Sequence, residues 1–201
     1  MWQQNTAMMK NYLISVAIGD IAGSAYEGRS HRIKDYNKVK MFSSRANFTD
    51  DTVLTFACAE AFIDNLDMTM NLWKCANEQR HAGFGSKCKI WMASHKPQPY
   101  RSLGNGSAMR CSSAGWLAKS EEECIKMATE TAAPTHNHPE GIKGAVVTAL
   151  TIFHLKNGKT KTLSVSICSM DTTRIGLILS TQTFTIPTPS TLPAQEQLVP
   201  Q

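Results

Sequence analysis

Between Asp50 and Asn65 the apolar residues Val53, Leu54, Ala57, Cys58, Ala61 and Phe62 recur at steps of three and four and form one continuous stripe. Thr49 stands ready as N-cap, and the acidic first turn, Asp50 and Asp51, suits the positive end of a helix. The same spacing governs most of the chain before residue 158. It predicts a buried helix from Asn11 to about Ala25 on Leu13, Ile14, Ala17, Ile18 and Ile21, and weaker helices over Met68–Arg80 and Ser86–Ser94. After the turn-rich stretch Lys96–Gly106, a short helix is expected over Ala108–Lys119 and another over Ser120–Ala132, where Ser120-Glu121-Glu122-Glu123 has the form of a capping box. Pro139 suits the first turn of a long helix through Ile142, Val146, Ala149, Leu150 and Phe153, which Asn157-Gly158 ends. Helices are therefore expected nearly throughout the first three quarters of the chain.

Length and charge narrow the function classes. With 201 residues, 42% of them hydrophobic, the chain suits one core better than two. The net charge of +5 is spread over every predicted segment, so it describes a solvated basic surface; no arginine-rich helix, zinc-finger spacing or aromatic RNA-binding signature accompanies it. Cys58, Cys75, Cys88, Cys111, Cys124 and Cys168 contain no C-x-x-C pair and fall mostly in apolar helical patterns, as buried free thiols in a reducing compartment do. Met1–Lys10 has no basic leader followed by an apolar run, and Gly19-x-x-x-Gly23 is interrupted as a membrane-helix motif by Asp20. The expectation is a cytoplasmic protein without a membrane partner.

Three constellations carry chemistry, each with an ordinary structural alternative. Thr49-Asp50-Asp51-Thr52 offers hard oxygen donors of the kind magnesium or manganese needs, although capping alone also explains an acidic helix start. Gly104-Asn105-Gly106-Ser107-Ala108-Met109-Arg110 is a small-residue loop opening a helix, in which backbone amides and Arg110 suit an anion; taken singly, such a loop is more often a turn. Thr135-His136-Asn137-His138-Pro139-Glu140 precedes the long helix, and without cysteine partners its two histidines suit hydrogen bonding or capping better than zinc.

In order and wording these segments, together with Gly19-Asp20-Ile21-Ala22-Gly23-Ser24-Ala25-Tyr26-Glu27, resemble the ADP-ribosylglycohydrolase family, which includes dinitrogenase reductase-activating glycohydrolase. The resemblance covers about residues 11 to 158 and implies an all-α fold, a compact helical domain over 1–158 followed by a divergent, irregular tail, 159–201. It implies a hydrolase that removes ADP-ribose from a modified protein or small molecule at a centre of two magnesium or manganese ions. Thr49, Asp50 and Asp51 would bind metal; Glu27, with Asp50 and Asp51, would serve catalysis by positioning or activating the reacting water. Gly104, Asn105, Gly106, Ser107, Met109 and Arg110 would hold the phosphates and distal ribose, and His136 would line the cleft.

The chain departs from the family near its end. Members carry a second acidic segment, Gly-x-Asp-x-Asp-Thr, and here the nearest wording is Ser169-Met170-Asp171-Thr172-Thr173, with neither the glycine nor the second aspartate. Past about Lys161, charged residues thin out, Ser and Thr become frequent, and Pro187, Pro189 and Pro193 break regular structure. The domain therefore reads as incomplete, through truncation, a changed reading frame or divergence. A catalytically impaired ADP-ribose-binding remnant is the alternative to a working hydrolase.

Overall fold

A computed structural model of the chain describes residues 2–27, 33 and 35–160. The expected irregular tail, apart from its first two residues, lies outside them, as does Cys168. The described residues form eight α-helices and a 3-10 turn at Tyr36–Lys38, with no strand among them: α1 Trp2–Ser24, α2 Asp50–Asp64, α3 Met68–Glu78, α4 Ser86–Met92, α5 Gly106–Arg110, α6 Ser112–Leu117, α7 Glu121–Ala132 and α8 Pro139–Lys156. The all-α architecture is the one the family resemblance implied, and the helices fall where the apolar spacing put most of them.

Most helix ends are set by local chemistry. Thr49 caps α2 by accepting from the Asp51 amide, Asp67 caps α3 by accepting from Met70, and Ser120 caps α7 by accepting from Glu123. The capping box is displaced by one residue, because the Glu123 carboxylate receives the Lys119 amide (2.7 Å) and not that of Ser120. His138 caps α8 through Nδ1 on the Glu140 amide, Pro139 occupies the first turn, and Gly158 past the end has φ +81°, a conformation glycine adopts without strain.

Two boundaries differ from expectation. α1 starts at Trp2 and not near Asn11: residues 2–10 lack an apolar stripe, but Gln, Ala, Met and Lys are good helix formers and nothing among them stops propagation. The single helix expected over Ala108–Lys119 is two, divided at Cys111 with φ −80° and ψ −1°. There the Cys111 sulfur lies 3.2 Å from both the Ala108 and the Ala145 carbonyl oxygens, so contact with α8 draws the chain aside.

Tertiary packing produces two apolar clusters. Cys111, Ala114, Cys124, Ala128, Ala132, Ala145, Val146, Ala149 and Leu150 join α6, α7 and α8; Val53, Leu54, Cys58, Leu72, Phe84, Trp91 and Met92 join α2, α3 and α4; Phe62 packs against both. The alanine-rich faces let α6 and α8 approach until a Cβ on Gly115 would stand 2.5 Å from the Ala149 carbonyl oxygen and 2.8 Å from Ile152 Cβ, too close for any side chain. Lys156 then closes α6 by donating to the Trp116 and Ala118 carbonyls, both at 2.9 Å, which places a cation at the negative end of a helix. α5 lies between the two clusters and touches α2, α7 and α8. Its position brings the loop that precedes it toward the start of α2.

Candidate metal centre and ligand loop

The site is assembled from the end of α1 and the start of α2. Asp20 lies one turn from the end of α1 and acts as a clamp on the second helix. Its Oδ2 accepts the backbone amides of Thr49 (2.7 Å) and Thr52 (3.2 Å) and the Thr52 hydroxyl, while its Oδ1 accepts the Thr49 hydroxyl (2.7 Å). Four donors on one carboxylate fix the direction in which α2 begins. That anchoring brings one carboxylate oxygen from each of Asp20, Glu27 and Asp51 within 4.8 Å of one another.

Thr49, Asp50 and Asp51 thus occupy different places in the site. The Thr49 hydroxyl lies between Asp20 and Asp51 (3.3 Å to Asp51 Oδ2) and also receives the Asp51 amide. Asp51 joins the cluster directly. Asp50 is adjacent but outside the group of three, and its Oδ1 lies 3.8 Å from where a Cβ on Gly83 would stand.

Crowded carboxylates resist ionisation. Burial and then the neighbouring Asp51 push Asp50 up to about 6 from the ordinary 3.8; burial and then Asp20 raise Asp51; burial, then Asp51 and Asp20, raise Glu27. A carboxylate raised on folding contributes stability that is complete below its unfolded value near 3.8 and is lost as pH rises through about 6. The metal-free protein is therefore expected to lose melting temperature between pH 5 and pH 7, and Asp50→Asn is expected to flatten that slope. Thermal melts of both proteins across this range decide it; parallel slopes would show that folding does not raise Asp50.

The Gly104–Arg110 loop is tied to this cluster through Thr55, one turn into α2, whose hydroxyl donates to the Asp51 carbonyl (2.6 Å) and lies 3.3 Å from that of Met109. In the loop, Gly104 and Asn105 are exposed, Ser107 and Arg110 are buried, and Met109 packs on the α2–α3–α4 cluster. Ser107 donates to the Gly141 carbonyl at 2.7 Å, joining the loop to α8. The Arg110 guanidinium points inward, with Nε on the Thr131 carbonyl (2.9 Å) and Nη2 on the Ala132 carbonyl (3.3 Å) and the Thr135 hydroxyl (2.7 Å). His136, 3% exposed, lies behind the loop with Nδ1 2.7 Å from Thr135 Oγ1 and Nε2 3.1 Å from the Gly104 carbonyl oxygen. A Cβ on Gly106 would stand 3.2 Å from His136 Cε1, so a small residue lets the loop lie against the ring.

The four segments singled out in the sequence are therefore connected in space, in two linked groups. A family model described as ADP-ribosylglycohydrolase matches residues 6–177. The chain belongs to the ADP-ribosylglycohydrolase family. With that membership come hydrolase-type chemistry and ADP-ribosylated substrates as the class on which the family acts, together with a fold that is helical throughout the described residues.

Two residues of this ADP-ribosylglycohydrolase-family site carried no assigned role in the sequence reading. Asp20 is visible as a carboxylate interrupting an apolar helix, a signal that an acceptor is needed there. Thr55 had no such signal, since a threonine inside a helical stripe is unremarkable until the partner helix arrives. An open apolar groove of about 420 Å³ between α1, α2 and α3, lined by Leu13, Val53, Phe56, Ala57 and Ile63 among others, includes no residue of the Thr49–Thr52, Gly104–Arg110 or Thr135–Glu140 segments. No helix among the described residues is long and apolar enough to cross a membrane.

Proposed function

We propose that this protein cleaves the glycosidic bond between ADP-ribose and a modified acceptor, a protein or a small molecule, in the cytoplasm. The observation that carries this reading is the convergence of Asp20, Glu27 and Asp51 within 4.8 Å in a chain of this family. The donor set fits magnesium or manganese, for which carboxylate and hydroxyl oxygens are the preferred ligands. The raised carboxylates also fit, because a divalent cation offsets the burial, and then the repulsion, that raise them.

In this reading Thr49, Asp50 and Asp51 hold the metal and Glu27 faces the reacting water. Bound metal would supply Lewis acidity toward the ribose hydroxyls and lower the pKa of a coordinated water. The chain itself does the rest. Asp20 directs the start of α2, Asp51 supplies an anionic oxygen, and Glu27, its proton affinity raised by burial and by Asp51, is suited to accept a proton from water attacking the anomeric carbon. Gly104, Asn105, Gly106, Ser107 and Met109, with His136 behind them, form the side that receives ADP-ribose, and Arg110, turned inward onto the Thr131 and Ala132 carbonyls, supports them from within.

Release of free ADP-ribose from arginine-, serine- and nucleic-acid-linked substrates with manganese present tests the proposal, with Asp50→Ala as the inactive control. Turnover in the wild type and its loss in the variant are expected; no release from any linkage at high enzyme concentration would exclude catalysis. A second reading rests on the 169–173 segment, where the family's second acidic segment is absent: the chain retains ADP-ribose without hydrolysing it. Calorimetry separates the two, since the remnant binds ADP-ribose whether or not metal is present.

A further inference from the structure

The open groove of about 420 Å³ between α1, α2 and α3 joins an apolar floor to a rim of one charge sign. α2 buries Leu54, Cys58 and Ala61 in the core and turns a second row of residues to the groove: Phe56, Glu60 and Ile63 succeed one another at steps of four and three, with Val53, Ala57 and Asp64 beside them. Phe56 and Ile63 are left 38% and 40% exposed. Every charged residue that lines the groove is acidic: Glu60, Asp64 and Glu78. The Asn71 side-chain amide holds Glu60 in place at 3.0 Å, while Asp64 and Glu78 form no ion pair among the described residues. The sign of the local field shows in Cys75 on the α3 wall. Burial, then Glu60 and Glu78, push its thiol up to about 11 against the opposing charge of Lys74.

We propose that this groove docks a cationic amphipathic helix of another protein, which sets apolar residues at i, i+3 or i+4 and i+7 against Leu13, Phe56 and Ile63 and reaches Asp64 and Glu78 with Lys or Arg. The rim decides between occupants. A second copy of the chain meeting the groove about a twofold axis sets the three carboxylates against their own equivalents, which repel. An anionic lipid surface or a nucleic acid meets the same repulsion. A positive helix gains twice, because burial of its apolar anchors holds it while the acidic rim steers and orients it. The site is independent of the ADP-ribose reading, since no residue of the Asp20, Glu27 and Asp51 cluster or of the Gly104–Arg110 loop lines it.

A blocked, fluorescently labelled peptide of leucine and lysine, about 18 residues or roughly five helical turns with the leucines along one face, probes the groove in the full chain. The same peptide with glutamate for lysine is its control. Anisotropy titrations should show the lysine peptide binding the wild type, with Phe56→Ser and the Asp64→Lys, Glu78→Lys double variant each weakening it by about tenfold. Added salt should weaken the wild type and leave the charge-reversed protein little changed. Equal binding of the glutamate peptide, or lysine-peptide binding that neither variant alters, overturns the proposal. So does absence of binding, which gives the groove to residues 161–201 of the chain itself or to a second copy; a dimer seen in sedimentation equilibrium and lost in Phe56→Ser identifies the copy. Should the double reversal not fold, Asp64→Asn with Glu78→Gln removes the same charges at nearly constant shape and decides in its place.

Discussion

Truncating Arg110 to alanine will cost about 3–5 kcal/mol of unfolding free energy, the range reached when a buried hydrogen-bonded charge is removed from partners that cannot rearrange. The guanidinium is 2% exposed and serves two carbonyls at the C-terminal end of α7 as well as the Thr135 hydroxyl. Two effects oppose each other. Losing the charge removes its desolvation penalty, worth several kcal/mol, but it leaves a cavity and takes the donor from the Thr131 carbonyl and the Thr135 hydroxyl, while the Ala132 carbonyl keeps the Thr135 and His136 amides. The second wins in alanine because nothing refills the space. Arg110→Met, which fills most of it, should lose less than alanine does, and Arg110→Lys, lacking the fork that reaches separated acceptors, should remain well below wild type. Urea unfolding measures all three. An alanine variant within about 1 kcal/mol of wild type would mean that the side chain belongs to solvent and ligand and not to the frame.

Asp20→Ala is expected to weaken manganese binding by about 10- to 100-fold, as loss of a group that orients metal ligands does. Here too there is competition. Removing one of three close carboxylates relieves repulsion within the cluster, yet it also strips the acceptor from two backbone amides and two hydroxyls at the start of α2. Hydrogen bonds to a charged group contribute roughly 1.5–3 kcal/mol each, whereas repulsion between partly solvated carboxylates is screened, so the clamp outweighs the relief. Asp20→Asn, which keeps an acceptor oxygen, should fall between wild type and alanine. Manganese titration followed by electron paramagnetic resonance reads the affinity directly. Equal affinity in wild type and Asp20→Ala would show that α2 needs no anchor from α1.

Most helices were legible because they bury one face, and a buried face must repeat at helical spacing whatever it packs against; α1, expected to be buried, leaves Ile14 and Ile18 of its stripe exposed. The caps at Thr49, Ser120 and His138–Pro139 and the glycine stop at Gly158 were legible for a related reason: they answer to backbone groups within a few residues. The acidic and glycine-rich segments also stood out, since their composition is hard to explain by packing alone. The two boundaries that failed did so for different reasons, one through a distant neighbour and one through helix propagation. The division at Cys111 depends on the Ala145 carbonyl, and α1 runs back to Trp2 by propagation, which leaves no mark in a stripe pattern.

Sequence alone determined the helical class, the positions of most turns and the family wording of four segments, because those are properties of neighbours along the chain. Tertiary structure decided which carboxylates meet. It grouped Asp51 with Asp20 and Glu27, left Asp50 beside them, and turned Arg110 inward toward α7. Those outcomes depend on the angles at which α1, α2, α5 and α7 cross, which are set by small-residue faces and by hydrogen bonds between segments tens of residues apart. No spacing within a single segment encodes them.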